Sequence, residues 1–412
     1  MLLTGSELVR GDVRDENGAF LARELTRLGL EPERIVIAGD RPEELLRALQ
    51  EALEADLAVV SGGLGPTHDD RTVELLAQAA ELPLEIDRAL RAEIEAVSRG
   101  YAERLGRPYA DFETGVLKQA ALPDGAVALG LAGTAPAVLL EHDGRVAVAL
   151  PGPPGELRGL WPRVLEHPAV DRIARRAGRR LRRSLRFFGP SESAIARALA
   201  EADVGGTALD VTVCARDLEI EVDLLGGDGA HVESVLRDRF GDELFAVDDE
   251  RPVAALVLDA ARAQSLKVGT AESSTGGMIG ARLTDVAGSS EVFVGAVVAY
   301  SNELKARLLG VPEKLLEERG AVSPEVASAM AAGARTRLGA DVAVSVTGIA
   351  GPEGGTREKP VGLHYLHARS PHGELAWGGQ LSGDREAVRS RATAIALHLL
   401  RRLLAQDGDR HA

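Results

Sequence analysis

The sequence predicts an α/β protein of several domains, with a larger α/β unit at each end and a small α+β unit between them. Three observations carry this. The chain has 412 residues, well past the size of one usual core. Short apolar runs such as Ile35-Val-Ile37 and Leu57-Ala-Val-Val60 alternate with segments of helical period, the pattern of βαβ units with a mostly parallel sheet. Several of those runs end in polar, glycine-rich turns, where α/β proteins build their sites. The expected boundaries are residues 1–168, 169–249 and 250–412.

In the first unit Asn17 is placed to cap a helix carrying Phe20, Leu21, Leu25 and Leu28 on one side. A strand at 35–37, a helix from Pro42 to about Ala55 and a strand at 57–60 lead into Ser61-Gly-Gly-Leu-Gly-Pro-Thr-His-Asp-Asp70. Gly63 and Gly65 let backbone approach a ligand closely. Asp69 and Asp70 lie where the next helix begins. They suit a divalent ion against a pyrophosphate, and equally the ordinary acidic first turn of a helix, which spacing alone favours. His68 reads as a turn residue. Glu85 to Leu105 reads as a long helix, and Tyr109 to Ala120 as a connection entering a short one. Strands at 127–131 and 146–150 flank Gly133-Thr-Ala-Pro136 and end in Pro151-Gly-Pro-Pro-Gly155.

The arginine run around Arg172–Arg186 reads as a solvated basic linker. Beyond it, Ser191–Ala202 and Val232–Phe240 are helical, and Leu209–Val213 pairs with Leu218–Leu224 as a hairpin with one wet face. In the last unit a helix runs to Ala263. Leu266–Val268 and Phe293–Tyr300 read as buried strands, Pro324–Leu338 as a helix with small residues for close packing, and Val342–Val346 as a buried strand. Strands at 361–366 and 375–378 follow, and Ser382-Gly-Asp-Arg-Glu386 caps a final helix to about Leu404.

Composition bounds the function. Net charge is −15, which argues against a general nucleic-acid or anionic-membrane binder. The single cysteine, Cys214, permits neither a disulfide framework nor a thiolate metal cluster. No secretory peptide opens the chain and no apolar run is long enough to span a bilayer, so a cytoplasmic protein is expected. Lysine occurs only at positions 118, 267, 305, 314 and 359. A retained lysine then reads as chemically required, although gene base composition produces the same bias.

The densest stretch is Thr270-Ala-Glu-Ser-Ser-Thr-Gly-Gly277, between an apolar run and the helical spacing of Met278, Ile279, Leu283 and Val286. A helix start offers unpaired N–H groups to a negative oxygen, and a serine beside such donors suits acyl transfer. Ser274 or Thr275 as an ordinary N-cap explains the residues equally well. The Phe293–Tyr300 strand, followed by Ser301-Asn-Glu-Leu-Lys305, adds a second junction that would bring Ser273 and Lys305 into one cleft. Thr347-Gly-Ile-Ala-Gly-Pro-Glu-Gly-Gly355 is a third.

Ala271-Glu-Ser-Ser-Thr-Gly-Gly277, Tyr300-Ser-Asn-Glu-Leu-Lys305, Gly320-Ala-Val-Ser-Pro324, Thr347-Gly-Ile-Ala-Gly-Pro352 and Lys359-Pro-Val-Gly362 together resemble the nicotinamide-nucleotide amidase domain of the competence/damage-inducible protein A family. The likeness covers essentially the whole chain. The first unit is similar to the molybdopterin-binding fold through Gly5-Ser-Glu-Leu8, Asn17, Gly39-Asp40, the 62–70 loop, Gly133-Thr-Ala-Pro136 and Pro151-Gly-Pro-Pro-Gly155. The middle unit resembles a KH module. One departure is visible: the family commonly has cysteine where this chain has Ser274.

The resemblance implies a bifunctional enzyme of pyridine-nucleotide recycling. Its amidase site would hydrolyse nicotinamide mononucleotide to nicotinic acid mononucleotide and ammonia, with no cofactor. Ser273 is the implied nucleophile and Lys305 its neutral base, with Tyr300 positioning the lysine or relaying its proton. Donors near Thr275, Gly276 and Gly277 would receive the oxyanion. Thr347 and Gly351 would shape the pocket, and Arg385 would meet the phosphate. The first domain would hydrolyse ADP-ribose to AMP and ribose 5-phosphate with a divalent ion (magnesium, manganese or cobalt, with potassium a second candidate). Asp40, Asp69, Asp70 and Glu7 are its implied ligands, with Gly63, Gly65 and Thr134 lining the substrate. The resemblance overturns the spacing preference at Asp70. A homodimer without nucleic-acid or membrane partners is expected. The alternative is a nucleotide- or pterin-binding scaffold with one or both sites inactive.

Overall fold

The computed structural model describes residues 1–178, 182–202, 209–227 and 229–409. These form two compact units, Met1–Leu181 and Arg182–Ala412.

The first unit is built on a six-stranded sheet. Its spatial order is Val36–Ala38, Leu2–Thr4, Leu57–Ser61, Arg145–Leu150, Ala135–His142, Val127–Ala132. The first four strands are parallel and the last two antiparallel. Burial on both faces explains the continuous apolar runs. Val60 packs with Leu45, Leu49, Leu76 and Ile94 on one side. Its neighbour Val59 packs with Leu21, Leu157 and Trp161 on the other. The parallel strands all end at the same edge, which gathers the loops after Thr4, Ser61 and Leu150.

Several expectations shift here. Asn17 does not cap its helix; the Asp15 carboxylate accepts from the N–H groups of Asn17 and Gly18 instead. Gly133-Thr134 is a hairpin turn between two strands, so a strand at Ala135–His142 replaces the expected isolated turn. The long helix begins at Arg88, because Asp87 caps it through Ala89 N and Leu90 N. Leu84–Ile86 becomes a strand paired with Ala121–Pro123.

The second unit contains two sheets. One is antiparallel, in the order Leu209–Arg216, Glu219–Gly226, Arg182–Phe188, Leu244–Val247. Ile220, Val222 and Leu224 face the helices Glu192–Glu201 and Ala230–Phe240, as the alternation requires. Residues 179–181 of the arginine run lie outside the described residues; its described part belongs to the helix Pro168–Ala177 and the strand Arg182–Phe188, not to a solvated linker, and its described arginines pair with acids. Arg172 meets Glu141, Arg175 meets Asp171, Arg176 meets Asp56, Arg182 meets Asp223, Arg183 meets Glu233 and Arg186 meets Glu219.

The other sheet runs Phe293–Val298, Val268–Glu272, Val342–Gly348, Leu363–Arg369, Glu374–Gln380, with the first three strands parallel and the last two antiparallel. One face packs on the helices Val253–Ala263, Met278–Thr284 and Arg385–Asp409. The other packs on Asn302–Leu309, Glu313–Arg319 and Pro324–Leu338. Phe293–Val298 is an edge strand with Val294 and Val298 exposed, not the buried strand its apolar run suggests. The strand Val268–Glu272 extends through residues expected to lie in the turn, so the turn begins at Ser273. None of the described helices is long and apolar enough to cross a membrane.

The small residues of Pro324–Leu338 do allow close packing: a Cβ at Gly333 would lie 1.9 Å from the Leu309 carbonyl oxygen. Gly333→Ala gains about 1 kcal/mol of helix propensity but meets rigid backbone, and such overpacking costs about 1–3 kcal/mol. The clash sits at the upper end because backbone is what must move. The expected net loss is about 2 kcal/mol, read as a lower denaturation midpoint; an unchanged or higher midpoint would contradict this packing.

Candidate active sites

Ser273 is the first residue beyond its strand. Its N–H is still paired to the Val346 carbonyl at 3.1 Å, so the sheet sets its position. Lys305 reaches it from the helix Asn302–Leu309, which the Ser301 hydroxyl caps at Leu304 N. Lys305 Nζ lies 3.1 Å from Ser273 Oγ, 3.0 Å from the Ala299 carbonyl oxygen and 3.1 Å from that of Tyr300. The lysine is 1% exposed. Burial alone, with no carboxylate opposing it, pushes its pKa down to about 8. A neutral amine has two N–H donors and one lone pair. Two carbonyls take the donors, which leaves the lone pair for the serine O–H.

Tyr300 therefore positions Lys305 through its carbonyl. Its side chain is 60% exposed, and the phenol oxygen accepts from Arg385 Nη2 at 3.2 Å, so no relay through the phenol is formed. Thr347 is buried, and its hydroxyl donates to the Ala321 carbonyl at 2.7 Å. It ties the Gly320–Ser323 segment to the sheet. Lys359 Nζ holds the same segment through the carbonyls of Arg319 and Val322.

The helix start carries a residue to which sequence reasoning assigned no role. Glu272 is fully buried and accepts from Thr275 Oγ1 at 2.7 Å and from the N–H groups of Gly277, Ile279 and Gly280 at 2.9, 3.1 and 2.9 Å. It neutralises the positive end of Met278–Thr284. The expected oxyanion donors must be revised accordingly. Gly277 N–H serves Glu272 and Gly276 N–H serves the Ser273 carbonyl at 3.1 Å. The N–H groups of Ser274 and Thr275 have no partner among the described residues and are the ones left for an oxyanion. Neither ordinary cap is used: Thr275 bonds Glu272, and Ser274 Oγ is buried without a partner.

Arg389, also overlooked, clamps this loop from the final helix, donating to the Ser274 carbonyl at 3.2 Å and the Thr275 carbonyl at 2.7 Å. One turn earlier, Arg385 donates to the Gly351 carbonyl at 2.6 Å. That helix is capped from within the expected Ser382–Glu386 segment, by Asp384, which accepts from Ala387 N. The signal available was the four-residue spacing of the two arginines on one helix face.

In the first unit, the loops at the carboxyl edge of the sheet enclose a cavity of about 570 Å³, lined by Gly63, Gly65, Thr134 and Asn17 with Glu7, Asp40, Asp69 and Asp70. Gly65 is needed there, since a Cβ would lie 2.4 Å from Asp70 Oδ2. The four carboxylates do not form the expected shared ligand set: among the described residues no three His, Cys, Asp or Glu side chains converge on a metal position. Asp40 accepts from Ser6 N at 2.8 Å, and Asp70 closes its own turn through Thr67 N at 2.9 Å and Thr67 Oγ1 at 2.6 Å. Asp69 accepts from the same hydroxyl, which holds its carboxyl below the usual range. His68 is exposed, as a turn residue should be. Two buried oxygens face no partner: Thr4 Oγ1 and Asn17 Oδ1. Asn17 is held by its amide, which donates to Ser61 Oγ at 3.0 Å and the Gly152 carbonyl at 2.7 Å.

Residues 250–404 match the CinA C-terminal domain, and residues 1–172 match the family described as "Probable molybdopterin binding domain". A CinA-like protein of Mycolicibacterium paratuberculosis is 42% identical over 98% of both chains. The chain belongs to the CinA family. A CinA-like protein of Mycolicibacterium gilvum is likewise 42% identical, over 99% of both chains. Among solved structures, a competence/damage inducible protein of Agrobacterium tumefaciens is 41% identical, covering 37% of this chain and 93% of its own, with a TM-score of 0.36. For a CinA-family chain the Ser274 departure is local. It leaves the Ser273–Lys305 contact untouched and places an unbonded hydroxyl, not a thiol, in the buried loop.

Glu272→Ala would strip four hydrogen bonds from the loop and helix start and leave those N–H groups buried. Charged hydrogen bonds contribute about 1.5–3 kcal/mol each and are not additive, so a stability loss of about 3–5 kcal/mol is expected in chemical denaturation. A loss under about 1 kcal/mol would show that the carboxylate is not the cap of this helix.

Proposed function

We propose that the C-terminal domain is a serine-lysine amidase acting on nicotinamide mononucleotide. The observation that carries the chemistry is a desolvated lysine without a counter-ion, 3.1 Å from a serine at a strand end. The choice of substrate follows the family. Ser273 Oγ attacks the carboxamide carbon as its proton passes to Lys305 Nζ. The oxygen that becomes negative lies toward the N–H groups of Ser274 and Thr275. As the tetrahedral intermediate collapses, Lys305 returns the proton to nitrogen and ammonia leaves. An ester on Ser273 remains. Water, deprotonated by Lys305, cleaves it to nicotinic acid mononucleotide and free serine. Arg385 keeps donors beyond its bonds to Gly351 and Tyr300, and these suit the nucleotide phosphate.

Ser273→Ala is expected to lower ammonia release by about three orders of magnitude or more with the fold retained. Wild-type turnover in that variant would reject the nucleophile. With a pKa of about 8, about a tenth of Lys305 is neutral at pH 7. The base must be neutral, so kcat/KM should rise with pH through about 8 and level above it. A profile flat between pH 7 and 9 would remove Lys305 as the base.

A second activity is proposed for the N-terminal domain, hydrolysis of the ADP-ribose pyrophosphate. Its support is the acid-lined cavity with two buried oxygens lacking partners. Asp40 and Asp70 line this cavity and would be the residues to hold a divalent ion there, since one or two carboxylates suffice when a substrate phosphate is also bound. When bound, such an ion supplies charge neutralisation to the phosphates. Asn17 and Glu7 orient the ribose, and the glycine loop gives the phosphates close access. Chelated protein should lose AMP formation and regain it on adding the divalent ion, while ammonia release stays unchanged. Undiminished AMP formation after chelation would overturn this reading.

A further inference from the structure

The middle sheet meets the final helix of the amidase at its hairpin tip and at His398. The strands Leu209–Arg216 and Glu219–Gly226 are joined by a two-residue turn, Asp217-Leu218, with φ of 49° and 70°. Positive φ at both positions is the geometry of a tight hairpin turn. This tip meets the final helix Arg385–Asp409. Asp217 Oδ2 accepts from Ser390 Oγ at 2.8 Å. Glu219 then carries a second contact, with His398 Nε2 at 2.9 Å, while Arg186 Nη2 donates to its other oxygen at 2.8 Å. His398 is fully buried, stacked on Phe188 at 3.8 Å and met edge-on by Phe245 at 4.7 Å. Arg401 Nε donates to His398 Nδ1 at 3.3 Å, which leaves the ring proton on Nε2, pointing at Glu219.

Arg389 precedes Ser390 directly. The helix thus holds the middle sheet through Ser390 and His398, and holds the nucleophile loop through Arg389 on the Ser274 and Thr275 carbonyls. Those carbonyls belong to the residues whose N–H groups are left for the oxyanion.

We propose that the middle module is a positioning element of the amidase: Asp217 and Glu219 set the rotation and register of the final helix, and Arg389 transmits that setting to the Ser274–Thr275 donors. The inference rests on the amidase reading for its kinetic consequence, but not for its mechanical one. Asp217, Ser390, Glu219 and His398 are positioning residues and touch no reacting atom.

The test uses the full chain. Hydrogen exchange is followed by mass spectrometry at residues 273–277, with the core strand Val342–Val346 as internal reference. In Asp217→Ala and Ser390→Ala, exchange at 273–277 is expected to quicken about tenfold with the reference strand unchanged. Asp217→Asn keeps an acceptor and tolerates the left-handed turn, so it should restore wild-type exchange. In ammonia release from nicotinamide mononucleotide, Ser390→Ala should lower kcat about tenfold at unchanged KM. Combined with Arg389→Lys it should add less than about twofold, because both act along one path. Unchanged exchange at 273–277 in both variants, or full multiplication of the two kinetic effects, would overturn the proposal. A wild-type chain that releases no ammonia defeats the amidase reading alone, and the exchange experiment still decides the mechanical coupling.

Discussion

A lysine side chain buried to 1% exposure beside a serine, with two carbonyls and no acid, is the contact around which the C-terminal domain is arranged. An ammonium there lacks both water and a counter-charge, which is why its pKa falls to about 8. A carboxylate within reach would restore the charged form and end its use as a base. The fold keeps acids away by supplying the two carbonyls from the end of the neighbouring edge strand, at Ala299 and Tyr300. Serine and lysine thus depend on the register of two parallel strands more than on any side-chain network.

The other side of the same loop obeys the opposite electrostatics. Glu272 is also buried, but it receives backbone N–H groups and a hydroxyl, so the charge is solvated by the protein. Successive residues of an extended segment point to opposite sides, so Glu272 and Ser273 diverge: the carboxylate meets the start of Met278–Thr284, and the serine meets Lys305 from Asn302–Leu309. One consequence is a division of donors. The N–H groups of Gly277, Ile279 and Gly280 go to Glu272, and the loop N–H groups of Ser274 and Thr275 have no partner among the described residues. A helix start that looks from sequence like the anion site is already occupied by the chain's own carboxylate.

What could be read from the sequence follows from range. Strand-to-loop junctions, the helix Pro324–Leu338 and the Ser273–Lys305 pairing depend on local period and on the topology of parallel strands, and both were legible. Glu272 was not, because its partners lie up to eight residues ahead, beyond a capping box. Tyr300 positions Lys305 as one of the two expectations had it, but through a backbone carbonyl, which any residue supplies, and not through the phenol. Asn17 misled because Asp15, two residues earlier, caps the helix and frees the amide for long-range bonds to Ser61 and Gly152. The strand Arg182–Phe188 carries charges that make sense only once their acidic partners, Asp223, Glu233 and Glu219, are in place.

Both sites hold buried oxygens without a partner, Ser274 Oγ in one and Thr4 Oγ1 and Asn17 Oδ1 in the other, and they differ in how their charged groups are held. At Ser273 and Lys305 the lysine's donors have carbonyl partners, so the pair is ordered without a ligand. In the N-terminal cavity Thr4 Oγ1 and Asn17 Oδ1 are buried without partners, Asp70 is tied to its own loop through Thr67, and Asp40 is tied to the Ser6 N–H of another segment. Leaving a buried oxygen unbonded costs about 1–3 kcal/mol, and a ligand that donates to it recovers that energy on binding.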